Sequence, residues 1–234
     1  QYLKKSADLG DVKAMSRYGY ILQNGEGITA NPKEGARYLK MAADKGDIYA
    51  LFFYAESLLE GNGVVVNEKE AARYMKIAAE KGNPEAMLQY GILLDKGKGV
   101  LKNKKEAIRY IKKSADSGET EAMLRYAMKL HLGKGVPENK REAIRYYKMA
   151  SDRGNYEAMQ NLGTMLASGD GVPLDKVKGA QYLKKSAEHG NTDAMLNFGL
   201  LLLKGEGVEK NEKEAARFMK MSADKGNIDA IYKY

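Results

Sequence analysis

Glycine recurs every 36 residues, at Gly10, Gly46, Gly82, Gly118, Gly154, Gly190 and Gly226, without an insertion or deletion in the series. A period of that length restricts the chain to copies of one supersecondary unit, each covering the apolar face of its neighbour. An alanine follows each glycine by four residues, from Ala14 through Ala50, Ala86, Ala122, Ala158 and Ala194 to Ala230. Two bulkier columns keep the same register: Tyr18, Tyr54, Tyr90, Tyr126, Leu162, Phe198 and Tyr234, and Leu22, Leu58, Leu94, Leu130, Leu166 and Leu202. In one copy the apolar positions are Ala86, Met87, Tyr90, Gly91 and Leu94, the i, i+3, i+4, i+7 spacing of one buried helix face. The spacing predicts an amphipathic helix, helix A, over about residues 83–96 and its equivalents.

A glycine pair follows each helix A, as at Gly97 and Gly99, and is expected to end the helix and turn the chain. Asn31, Asn67, Asn103, Asn139 and Asn211 then each precede a glutamate by three residues, the spacing of a capping box, and mark the start of helix B. Its apolar face is Ala71, Ala72, Tyr74, Met75, Ala78 and Ala79, and it stops at Gly82 through the left-handed backbone that glycine tolerates. Asn83 caps the next helix A, with Pro84 in its first turn. One copy departs from the pattern: Asp175, Lys178, Gly179 and Gln181 replace the usual Asn, Glu, Ala and Arg, so its helix B is expected to be the weakest.

The fold expected is all-α, a solenoid of two-helix repeats filling residues 1–234 as a single array of about six and a half copies. A hydrophobic content of 44% is enough for the core this needs. Solenoids need polar terminal caps, and neither Gln1–Leu9 nor Asn227–Tyr234 reads as one, so the array is expected to belong to a longer protein. No apolar run approaches the roughly 20 residues of a membrane-spanning helix. Residues 1–20 carry Lys4, Lys5 and Lys13 rather than the apolar region of a secretory signal, which makes the cytoplasm the default expectation. There is no cysteine, hence no disulfide framework and no thiolate chemistry.

The pattern Ala86-Met87-x-x-Tyr90-Gly91-x-x-Leu94-x-x-Gly97-x-Gly99-Val100, with Glu106-Ala107, Tyr110 and Ala115-Asp116-x-Gly118, resembles the Sel-1-like repeat family over essentially the whole chain. The resemblance implies a tetratricopeptide-related α/α solenoid wound as a right-handed superhelix, and an adaptor or scaffold role. It identifies a fold and not an activity. The family's disulfide-bearing secreted branch has periodic cysteines that this chain lacks.

Each candidate site has a plainer reading beside it. The Gly-x-Gly elements do not continue into a P-loop or follow a strand, and serve better as helix-ending turns. His131 and His189 lie in different copies without cysteine or histidine partners, so no metal and no cofactor is expected. No Gly-x-Ser-x-Gly or comparable nucleophile motif occurs, and no enzymatic activity is expected of these residues. Lys40, Lys76, Lys112, Lys148, Lys184 and Lys220, with Arg37, Arg73, Arg109, Arg145 and Arg217, give helix B a basic stripe, and the chain carries a net charge of +8. Phosphate recognition is one reading of that stripe; glutamates three residues before the arginines favour a solvated, self-paired face.

The partner-binding expectation rests on helix A. By analogy with tetratricopeptide stacks, helix A lines the concave side, and the positions it leaves uncommitted are Tyr49 and Phe52, Leu88 and Ile92, Leu124 and Met128, and Leu196 and Leu200. Glu85 and Glu121, in the first turns, are candidates for orienting a basic group, although a carboxylate there also suits the helix dipole. Two placements of the eight apolar residues remain open, a groove or the packing between adjacent copies. The function expected is a non-catalytic scaffold or adaptor for a protein or peptide, without membrane insertion. The alternatives are nucleic-acid or acidic-surface binding through the helix B stripe, and a regulatory arm of an enzyme whose catalytic domain lies elsewhere.

Overall fold

The computed structural model describes residues 2–233; Tyr234, the last member of the aromatic column, lies outside them. Every regular element among the described residues is an α-helix. The chain divides into two compact units, one ending at Glu119 and one beginning at Thr120. In the first, helix B copies α1 (Tyr2–Asp8), α3 (Pro32–Asp44), α5 (Glu68–Glu80) and α7 (Lys104–Asp116) alternate with helix A copies α2 (Val12–Asn24), α4 (Ile48–Glu60) and α6 (Pro84–Lys96). In the second, helix A copies α8 (Thr120–Leu132), α10 (Tyr156–Ser168), α12 (Thr192–Lys204) and α14 (Ile228–Lys233) alternate with helix B copies α9 (Lys140–Asp152), α11 (Lys176–Glu188) and α13 (Glu212–Asp224).

The helix starts are set by side-chain caps. Asp11, Asp47, Asn83, Asn155, Asn191 and Asn227 each accept the N–H three residues on, which belongs to the alanine column, and so begin helix A. At helix B, Asn31, Asn67, Asn103, Asn139 and Asn211 accept from Glu34, Glu70, Glu106, Glu142 and Glu214 as the spacing predicts. The reciprocal half of the capping box does not form. The cap's own N–H instead donates to the leucine column at the end of the preceding helix A, Asn67 to Leu58 and Asn103 to Leu94, both at 2.9 Å. A helix-end carbonyl with no intrahelical partner thereby satisfies the cap, and the glutamate is free to turn outward. Asp175 repeats both bonds, with Lys178 N–H and Leu166 carbonyl at 2.9 Å, and α11 runs a full thirteen residues despite its divergent sequence.

The glycine pair after helix A does two separate jobs. Gly97, at φ +75°, closes α6 with its N–H on the Leu93 carbonyl at 2.8 Å. Gly99 lies so close to the start of α5 that a Cβ there would stand 2.0 Å from the Glu68 carbonyl oxygen. The turn thus seats each copy on the previous one, which accounts for the Gly-x-Gly element without a phosphate. Lys98 adds an ion pair to Glu68 at 3.5 Å, and the same junction in the second unit carries the pair with its charges exchanged, Lys140–Asp170 at 2.6 Å and Lys176–Glu206 at 3.2 Å.

Edge-to-face aromatic pairs form the core between the two helices of a copy: Tyr54–Tyr74 at 5.1 Å, Tyr90–Tyr110 at 4.9 Å, Tyr126–Tyr146 at 5.0 Å and Phe198–Phe218 at 5.1 Å. Helix B copies are tied to one another by tyrosine hydroxyls, as Tyr74 donates to Asp44 at 2.7 Å and Tyr38 donates to Asp8.

Candidate functional site

Stacking covers more of helix A than one apolar stripe. Leu88, Leu124 and Leu196 are 4%, 2% and 5% exposed, so of the two placements left open these three take the packing, and their candidacy as partner-binding residues is corrected. Leu196 shows the cause, since it clusters with Met219 of α13 and Ala230 of α14. Helix α12 meets both its own helix B and the next helix A, and the two together enclose this position. Ile92, Met128 and Leu200 are half-buried at the edge of that packing, and Phe52 is half-buried with its ring 5.3 Å from Phe53. Of the eight apolar candidates only Tyr49, at 66% exposure, stands free, and the eight do not form one surface. Glu85 is exposed at the start of α6, whereas Glu121 is half-buried and paired with Arg125 at 2.8 Å.

The accessible strip of helix A lies one residue further round, at Arg17, Phe53, Gln89, Arg125, Asn161 and Asn197, all exposed or half-buried. In the first unit this strip opens into a groove of about 600 Å³ between α2 and α4, lined by Lys13, Ser16, Arg17 and Tyr20 on one side and by Asp47, Ile48, Tyr49 and Phe53 on the other. The Tyr20 and Phe53 rings lie 4.6 Å apart across its floor. The groove continues past them into a polar recess of about 220 Å³ bordered by Gln23, Asn24, Glu56, Ser57, Glu60 and Asn62. There Gln23 Nε2 donates to Ser57 Oγ at 2.6 Å and Ser57 Oγ donates to the Phe53 carbonyl at 2.8 Å. Burial, with a smaller contribution from Glu60, pushes the Glu56 carboxyl up to about 7.

The helix B stripe is largely self-neutralised. Arg37 and Arg73 grip Glu34 and Glu70 with two nitrogens each, Arg109 pairs with Glu106, and Lys40 and Lys112 reach Asp44 and Asp116 at 2.6 Å. The guanidiniums of Arg37, Arg73 and Arg145 also lie 4.2–4.3 Å from the ring centroid of the tyrosine that follows each. His131 hydrogen-bonds Asp170 at 3.0 Å, and His189 stacks on Tyr156 at 4.0 Å. No group of three or more potential metal ligands exists among the described residues. No helix among them is long and apolar enough to cross a membrane.

The Sel1 repeat model matches residues 1–11, 12–47, 48–83, 84–119, 120–155, 157–191 and 192–227, so each complete match holds one helix A followed by one helix B. A Sel1 repeat protein from Oxalobacter formigenes is 31% identical, with a TM-score of 0.82 over 93% of this chain and 89% of that one. A protective antigen of uropathogenic Escherichia coli strains displaying an SLR fold is 27% identical, with a TM-score of 0.92 over 99% of this chain. The present chain spans 50% of that antigen's length. The immunity protein Pa5087 from Pseudomonas aeruginosa, 18% identical with a TM-score of 0.51 over 94% of this chain and 83% of that one, shares the fold alone. No curated protein matches the sequence significantly. With the repeat model matched over almost all of residues 1–227 and the helix pairs built as described, this chain belongs to the Sel1 repeat family, whose members are generally non-catalytic protein-interaction scaffolds.

Proposed function

We propose that the chain is a non-catalytic scaffold whose helix A face receives a segment of a partner protein. The observation that carries this reading is the α2–α4 groove, where Tyr20, Tyr49 and Phe53 stand together at positions whose residue type changes from copy to copy. The corresponding positions vary freely from copy to copy, Arg17, Phe53, Gln89, Arg125, Asn161 and Asn197 in one column, while the alanine and leucine columns beside them stay constant. Fixed packing with a variable strip is what a surface adapted to a particular partner requires. In the first unit Tyr49 and Phe52 belong to this face, with Ile92 at its edge and Glu85 as a polar contact; in the second unit Met128 and Leu200 border the equivalent column, where Glu121 is already paired with Arg125. The buried Leu88, Leu124 and Leu196 support it from behind.

The alternative of phosphate binding through helix B is disfavoured by the carboxylates that already engage most of its arginines. Affinity capture separates the two. Wild type is compared with Tyr49→Ala/Phe53→Ala on helix A and with Lys148→Glu/Lys220→Glu on helix B, each checked for an unchanged circular dichroism melt. The helix A variant is expected to lose captured protein that wild type retains at about 0.5 M salt, where phosphate contacts are largely released. Loss confined to the helix B variant, or to raised salt, contradicts the proposal.

A further inference from the structure

The first turn of helix A carries an acid in five of seven copies, Glu85, Glu121, Glu157, Asp193 and Asp229, where a carboxylate meets the positive end of the helix dipole. In α2 the same position is Lys13, a choice that the dipole opposes and that packing does not require, since the side chain is exposed. One turn later stands Arg17. The equivalent two positions of α8 are Glu121 and Arg125, closed into an ion pair at 2.8 Å. In α2 the acid is absent, and neither Lys13 nor Arg17 has a hydrogen-bond or ion-pair partner among the described residues. The one carboxylate lining their groove, Asp47, caps α4 through the Ala50 N–H at 2.8 Å.

Two cations without a direct ion-pair partner therefore share a groove wall, outnumbering the single charge of Asp47 opposite and facing Tyr49 and Phe53 with Tyr20 between. At the far end the sign reverses, to Glu56 and Glu60. A uniformly anionic ligand such as a nucleic-acid strand would meet those two carboxylates, whereas a segment with one acidic end would not. From Lys13 to Asn24 the helix rises about 16 Å, the span of about five extended residues.

We infer that the α2–α4 groove binds a short peptide segment bearing a carboxylate next to an aromatic or large aliphatic side chain, the carboxylate held by Lys13 and Arg17 and the apolar side chain by Tyr20, Tyr49 and Phe53. This rests on the helix A face being the partner-binding surface, and it names the chemistry of the partner there.

The decisive variant is Lys13→Glu. It restores the acid common in this column, and by the precedent of Glu121 and Arg125 it ties up Arg17 without removing it. The fold is expected to be undisturbed, with an unchanged melting curve. Purified wild type is used to select a random heptapeptide display library, and enriched peptides are synthesised and titrated against wild type, Lys13→Glu, Phe53→Ala and Asn161→Ala/Asn197→Ala. Enrichment of peptides pairing Asp or Glu with an aromatic or Leu, bound about 10- to 100-fold more weakly by Lys13→Glu, is the expected result. Enriched peptides that lack an acid, or whose affinity Lys13→Glu leaves unchanged, overturn the inference. If Phe53→Ala or Asn161→Ala/Asn197→Ala weakens those peptides, the helix A reading stands without it. No enrichment, or binding that none of these substitutions affects, overturns both.

Discussion

Glu56 occupies a position filled by Tyr20, Ile92, Met128, Thr164 and Leu200 in other copies, so its carboxyl meets surroundings built for a less polar group. Burial raises it to about 7 from an unfolded value near 4.5. Between those values the folded chain keeps a proton that the unfolded chain has released, so stability falls as pH rises through the window and levels off above about 7. Glu56→Gln is expected to remove that part of the slope and to gain on the order of 1 kcal/mol at pH 8 over wild type, less than full linkage because the carboxyl keeps some contact with water. Urea denaturation of both proteins at pH 5 and pH 8 checks this, and equal slopes would show that the group titrates normally. Leu196 offers a second residue-scale test. Enclosed by Met219 and Ala230, it should cost about 2–5 kcal/mol when changed to Ala, whereas Asn197→Ala beside it should cost under about 0.5 kcal/mol. Similar losses at the two positions would mean that the accessible strip has been placed one residue off.

Helix α11 sets two effects against each other. Gly179 lies inside it, and replacing a mid-helix glycine with alanine ordinarily gains about 1 kcal/mol from propensity. A Cβ at Gly179, however, would stand 2.7 Å from the Ala167 backbone nitrogen and 2.8 Å from the Gly163 carbonyl oxygen, contacts that neither helix can relieve without separating. The steric term wins, so Gly179→Ala is expected to destabilise by about 1–3 kcal/mol in a thermal melt, and a gain would contradict the close approach of α10 and α11. Asn103→Ala should cost about 1 kcal/mol through the lost bond to the Glu106 N–H, measured the same way. Much at this scale was legible in the sequence, because an unbroken period let caps, helix limits and the tyrosine and leucine columns corroborate one another. The proposed binding face was less so. On a helical wheel Phe52 and Phe53 are about 100° apart, and a single helix does not reveal that its neighbour in the stack will claim the Phe52 column. The columns held only part of the signal: Ser16, Phe52, Leu88, Leu124, Gln160 and Leu196 are half aliphatic with two polar members, while Arg17, Phe53, Gln89, Arg125, Asn161 and Asn197 hold no aliphatic residue at all.

Across the molecule the two helix types divide the work. Helix B spends its charges internally, in i, i+3 and i, i+4 pairs, despite a net charge of +8 for the chain, and helix A carries the variable strip along successive copies. Within a unit a partner is expected to engage more than one copy, as the groove between α2 and α4 allows. Partners are proposed to meet the chain on the helix A strip. Site-specific photocrosslinking can locate the contact, with a crosslinking amino acid placed singly at Arg17, Phe53, Gln89, Arg125, Asn161 and Asn197 on helix A, and at Lys69, Lys105, Arg141 and Lys213 on helix B. Protein adducts are expected at a consecutive set of the helix A positions, including Arg17 and Phe53, and not at the helix B positions. Adducts that form only on helix B, or that join the chain to nucleic acid instead of protein, would contradict the claim.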